Sequence, residues 1–115
     1  MTTPTREQMI DSMNEAAERM GLDLEDIQEM IDDVLVDCTE KSKLLKEAIS
    51  SKNADDIKAI AHDIKGSTAN YGLSEASKLA LEIEKSHTEL PGNLVDELIN
   101  HFNHLSTLNL GSTTG

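Results

Sequence analysis

The 115-residue chain has no tryptophan, one tyrosine, one phenylalanine and one cysteine. A single cysteine, Cys38, excludes an internal disulfide and any cysteine-pair zinc site; at a core-like helical position it is expected to act as a small buried apolar side chain. No glycine-rich phosphate loop occurs, and no apolar run approaches the ~20 residues needed to span a bilayer. The N-terminal residues Met1 to Thr5 do not resemble a signal peptide, so cytoplasmic residence is expected. Basic residues are also scarce: 10 lysines and arginines stand against 22 acidic residues, for a net charge of −12. That balance argues against nucleic acid and anionic membrane as partners, since both are polyanions that select basic surfaces.

What is present is helical periodicity. Residues Arg6 to Met20 place Met9, Ile10, Met13, Ala17 and Met20 on one stripe, ended by Gly21. A long second helix from Leu24 carries Ile27, Ile31, Val34, Leu35, Cys38, Leu45, Ala48 and Ile49, with a bend expected near Thr39. Its acid is one-sided: carboxylates crowd Asp23 to Glu40 without a lysine or arginine, and Lys41, Lys43 and Lys46 follow, as the helix dipole prefers. Further helices are expected from Ala54 to Tyr71, from Ser74 (as N-cap) to His87, and from Asn93 to Leu108 beyond a Pro91-Gly92 turn. Short loops between helices of similar length imply antiparallel neighbours. The expected fold is all-α: an antiparallel up-down four-helix bundle with an additional N-terminal capping helix. It forms one domain over residues 1–110, followed by a disordered tail at 111–115.

The third helix holds the chemistry. Ile57, Ile60, Ala61, Ile64, Thr68 and Tyr71 recur at three- and four-residue intervals and define its buried face, with Asn53 or Asp55 as N-cap and Gly72 as stop. At about 100° per residue, His62 lies about 140° from the centre of that face and should meet solvent. Lys58, Ala59, Lys65, Gly66 and Ala69 share its side of the helix. Mid-helix Gly66 costs about 1 kcal/mol relative to alanine, so a purpose other than helix stability is expected: clearance for another protein's surface beside the ring. Lys65, three residues on, can place an ammonium beside an anion carried by the imidazole. Between Lys58 and Asn70 the charges are Lys58, Lys65 and Asp63, so this is where an acidic chain would least oppose an added phosphoryl group.

The run His62, Asp63, Ile64, Lys65, Gly66, Ser67, Thr68 and, ten positions after the histidine, Gly72 resembles the signature of the histidine-containing phosphotransfer (HPt) domains of bacterial and eukaryotic phosphorelays. The resemblance implies reversible transfer of a phosphoryl group between receiver-domain aspartates and an imidazole nitrogen of His62. Lys65 would stabilise the phosphoryl oxygens, Gly66 would give clearance, and Ser67 could add a hydrogen bond. Lys58, Ala59 and Ala69 would line the contact. The implied partners are response-regulator receiver domains or a hybrid sensor histidine kinase, with the chain a monomer. No cofactor is expected on this chain, Mg2+ belonging to the receiver's acidic pocket. The chain is too short to hold a nucleotide-binding kinase domain as well, so it would be a carrier without kinase activity of its own. Met13, Met20 and Leu24 are the expected apolar docking residues. The initial methionine and polar tail favour a free-standing chain.

Two other classes fit less well. A helical module that binds a receiver or kinase without being phosphorylated would leave His62 dispensable. A metal-binding bundle could draw on His101 and His104, three residues apart near the polar edge of the last helix, or on Glu84 and His87, which form a Glu-x-x-His element. Only one such element is present where a di-metal bundle needs two, so no metal site is expected. His87 is expected on the apolar stripe at the end of its helix.

Overall fold

Capping chemistry sets where the helices begin. Thr5 opens α1 (Arg6–Met20) with a reciprocal box: its Oγ1 accepts from the Gln8 N–H at 3.2 Å, and Gln8 Oε1 accepts from the Thr5 N–H at 3.0 Å. Asn53 opens α3 (Ala54–Asn70) by accepting from the Asp56 N–H at 3.2 Å. The computed structural model describes residues 4–111, and among these it has five α-helices, one 3₁₀ turn and no strand. The remaining helices are α2 (Leu24–Ser50), α4 (Ser74–Lys85) and α5 (Gly92–Ser106), with the 3₁₀ turn at His87–Glu89. Ser112 to Gly115 of the expected tail lie outside the described residues, whereas Gly111 is described and half-buried.

Several boundaries differ from the periodicity. Leu73, not Ser74, is the N-cap of α4, because Leu73 is fully buried and its N–H donates to Thr68 O at 2.9 Å. That helix stops at Lys85: Ser86 turns its hydroxyl back onto Glu82 O at 2.6 Å, and His87 leaves the helix for the 3₁₀ turn. The last helix runs from Gly92 to Ser106 rather than from Asn93 to Leu108. At Thr39 α2 continues as one 27-residue helix, with the Thr39 and Ser42 hydroxyls donating to Leu35 O and Cys38 O within it.

Helices α2, α3, α4 and α5 pack as a closed ring, α2 on α3, α3 on α4, α4 on α5 and α5 on α2, while α1 packs on α2. The predicted stripes supply the core. Ile27, Ile31, Ile57, Ala61, Ile64, Ala76, Ala80, Ile83, Val95, Leu98, Phe102 and Leu105 are fully buried. Each of the valine, leucine, isoleucine and phenylalanine side chains among them is worth about 1.5–3 kcal/mol when removed from water. Cys38 is buried with them, and that burial pushes its thiol up to about 11, so it carries almost no reactive thiolate at neutral pH.

Gly72 connects α1 to this ring. It holds a φ of +81°, and a Cβ there would sit 2.5 Å from the backbone oxygen of Ser12 on α1. The backbone of α1 therefore lies directly on the α3–α4 corner. Gly66, directly after Lys65 on α3, has nothing within 4 Å of such a Cβ. The two glycines of one motif thus answer to different constraints.

His101 is a correction to the sequence-level placement. Instead of standing at a polar edge it is buried, 5 % exposed, beside the Phe102 ring, and its Nε2 has no hydrogen-bond partner. Burial disfavours the charged ring and holds its pKa below the usual imidazole value. His104 turns the other way, donating from Nε2 to Pro4 O at 2.8 Å.

Two stability predictions result. Urea unfolding should show Gly72→Ala destabilised by ~2 kcal/mol or more, from left-handed strain plus the clash with Ser12, and Gly66→Ala stabilised by ~0.5–1 kcal/mol. Because the unfolded chain binds a proton at His101 more readily than the folded one, stability should fall as pH drops below about 6.5 and go on falling towards the lower folded pKa. His101→Leu should make the unfolding midpoint less dependent on pH between about 7 and 5; an equally steep dependence would assign the effect elsewhere.

Candidate functional site

Helix α3 presents His62 outward, as its position opposite Ile57, Ala61 and Ile64 requires, and its side chain is 63 % exposed. One turn on, Lys65 lies closer to the protein surface at 29 % exposure. The third member of the cluster comes from α4. Glu84 follows Ile83 at the edge of that helix's buried stripe and reaches across the α3–α4 seam with both carboxylate oxygens. Oε2 lies 3.0 Å from His62 Nδ1, and Oε1 accepts from Lys65 Nζ at 3.0 Å. The hydrogen bond from Lys65, then that from His62, holds the Glu84 carboxyl below the usual carboxylate range, against the opposing effect of burial.

This contact decides which imidazole nitrogen is available. An ionised carboxylate has no proton to give, so the Nδ1···Oε2 contact requires the proton on Nδ1. A neutral His62 ring then has its lone pair on Nε2. The arrangement is that of a positioned nucleophile: the ring nitrogen next to the protein is used for orientation, and the far nitrogen is left free. Exposed ion pairs are worth only about 0.2–1 kcal/mol, so the cluster orients the ring more than it supports the fold.

The other expected residues distribute unevenly. Lys58 and Ala59 are exposed and line a shallow hollow together with Asp55, His62, Asp63 and Glu84. Gly66 is open to solvent one turn beyond the ring. Ala69 is exposed further along the same side, where its carbonyl accepts from Arg19 Nη2 at 3.4 Å. That bond brings the end of α1 to the end of α3, an arrangement the periodicity did not reveal. Ser67 is half-buried and about 140° round the helix from His62, so it is not part of the cluster.

Of the apolar residues expected to dock a partner, Met13 is a correction: it is fully buried in the core, because α1 turns it inward between Met9 and Ala17. Leu24 is partly buried against the same core. Met20 is 41 % exposed, and Leu22 beside it is 39 % exposed. Both follow Arg19, which reaches the far end of the His62 face.

Glu84 was missed as a site residue. In the sequence it enters only as part of the Glu-x-x-His element; it adjoins the apolar stripe of Leu79, Ala80 and Ile83, as Glu82 also does, and only the packing of α4 on α3 aligns it with His62 and Lys65. The Glu-x-x-His element does not converge: His87 donates from Nδ1 to the backbone oxygen of Glu84 at 2.9 Å, and the Glu84 carboxylate faces α3. Among the described residues no group of three or more histidine, cysteine, aspartate or glutamate side chains is placed to hold a metal ion. No helix among them is long and apolar enough to cross a membrane.

A family model described as "Hpt domain" matches residues 29–108, which span α3, α4 and the whole His62 cluster. Neither the curated proteins nor the solved structures contain a match to the chain.

The contact with Glu84 should be visible in ring nitrogen chemical shifts. In ¹⁵N-labelled protein at neutral pH, His62 should be in the Nδ1–H form, and Glu84→Gln, which can accept or donate, should admit the Nε2–H form as well. Identical spectra would mean that the carboxylate does not select the tautomer.

Proposed function

The chain belongs to the Hpt domain family, whose members serve histidine phosphotransfer in phosphorelays, and we propose that in this protein His62 is the residue that carries the phosphoryl group between receiver-domain aspartates. The observation that carries the proposal is the free Nε2 of an exposed imidazole whose Nδ1 is held by Glu84. The Nε2 lone pair attacks phosphorus of a receiver's aspartyl phosphate in line with the departing carboxylate oxygen, and the P–O bond breaks with its electron pair on that oxygen. Lys65, already beside the ring, offsets the phosphoryl charge. Gly66 leaves the approach to Nε2 open, with no side chain one turn away. Magnesium, if the receiver supplies it, belongs to the receiver's own acidic site.

The closed ring of contacts and the short connections, such as residues 51–53 and 71–73, support an antiparallel up-down arrangement of α2 to α5 with α1 covering one end. Exposed Met20 and Leu22, brought to the His62 side by the Arg19–Ala69 bond, support a receiver docking on this face. We place the protein in the cytoplasm as a monomeric carrier without kinase activity. The competing interaction-only role would make the His62 ring irrelevant to the partner.

The deciding measurement mixes the purified protein with a radiolabelled phospho-receiver. Label should move to an acid-labile, alkali-stable bond on the unmodified protein and not on His62→Gln. If receivers bind both proteins and label neither, the interaction-only role is correct.

A further inference from the structure

Resting on the proposed transfer at His62, the geometry points to a second role for Glu84: it is a positioning residue that keeps a proton on Nδ1 through the whole transfer cycle, so that the ring leaves phosphorus as neutral imidazole and not as imidazolate.

The proton inventory explains why this matters. In the forward step the neutral ring, protonated on Nδ1, forms a bond from Nε2 to phosphorus and becomes an N-phosphoryl imidazolium with the Nδ1 proton still in place. In the return step an oxygen lone pair of a receiver carboxylate attacks phosphorus, the P–Nε2 bond breaks, and its electron pair goes back to Nε2. If the Nδ1 proton has stayed, the product is the neutral ring that began the cycle. If it has been lost to water, the departing group is an imidazolate anion, a far poorer leaving group. The direction of flow through such a carrier therefore depends on where one proton resides while the phosphoryl group is bound.

Glu84 is built to hold that proton. Its Oε2 lies 3.0 Å from Nδ1, and its negative charge offsets the positive charge the ring gains on phosphorylation. Lys65 fixes Oε1 at 3.0 Å and, as an ammonium with three N–H donors, can serve this oxygen and a phosphoryl oxygen together. Other charged or titratable groups lie in the hollow or on the elements packed against α3. Asp55, Lys58 and Asp63 lie on α3. The 3₁₀ turn packed on α3 contributes His87 and Glu89, and on α2 Lys41 interacts with Asp63. Among the described residues, Glu84 alone is hydrogen-bonded to the ring. Asp63 supplies a carboxylate of the same charge in the same hollow without that bond, which separates the two effects experimentally.

The test needs no receiver at its first stage. Protein phosphorylated with phosphoramidate, a small P–N donor, is followed by ³¹P and ring ¹⁵N spectra from about pH 5 to about pH 10, alongside Glu84→Gln and Asp63→Asn. The phosphoryl group should be on Nε2. The Nδ1 proton should persist in the unmodified protein and in Asp63→Asn to a pH at least about one unit higher than in Glu84→Gln, a tenfold difference in proton affinity. Return transfer to a receiver should then fall roughly tenfold per pH unit for Glu84→Gln over the range in which its ring proton is lost, and stay level for the unmodified protein. Coincident titrations of the unmodified protein and Glu84→Gln, an equal shift in Asp63→Asn, or phosphorylation on Nδ1 would each overturn this role while leaving His62 as carrier. Failure of His62 to accept the group from phosphoramidate or from any phospho-receiver would overturn the carrier proposal itself.

Discussion

The seam between α3 and α4 is the contact on which the rest depends. Ala61 on one helix and Ala76 and Ala80 on the other are fully buried, as are Ile57, Ile64 and Ile83 around them. Small side chains let two helices lie close, and larger ones beside them lock the register. That register brings Glu84 level with His62 and Lys65, joining groups 22 and 19 residues apart in the chain. A shift of α4 by one residue would turn the carboxylate about 100° away from α3. The apolar seam, which contains no reactive group, thus sets the chemistry of the polar edge above it.

The glycines show a similar division of labour. Gly72 is required by the backbone of Ser12, which approaches it too closely for a side chain. Gly66 meets no such neighbour, so its cost to helix stability is offset by no contact within the described chain. A glycine that the packing requires and one that it does not therefore stand six residues apart in one motif, distinguishable only by what surrounds each Cα.

Charge gives the site its setting. The acid of α2 lies along a helix that also contributes Ile27, Ile31 and Leu35 to the core, so its carboxylates occupy the outward side. The His62 face is more mixed: Lys58 and Lys65 stand among Asp55, Asp63 and the Glu84 carboxylate, the last engaged by Lys65 and by the ring. In a protein of net charge −12, Lys58 and Lys65 interrupt the acid beside the ring.

Much of this was legible before any coordinates. Helical periodicity located five helices to within a few residues, identified nearly all of the core, and placed His62, Lys65 and Gly66 on one solvent-facing side, because a 3.6-residue repeat relates neighbours three and four apart whatever packs against them. Boundaries failed where a buried side chain or a hydroxyl overrode the pattern, as at Leu73 and Ser86. The docking expectation for Met13 and the polar-edge placement of His101 failed because periodicity gives an angle around a helix and not what covers that angle. The sequence by itself therefore determined the helices, their apolar faces and the exposed His62 with its lysine. Only the tertiary structure decided that Glu84 would reach both, that Arg19 would bring the end of α1 to Ala69, and that Gly72 would touch Ser12. Each of these joins residues on different helices, whose relative register is set by how side chains interlock and is written in no local repeat.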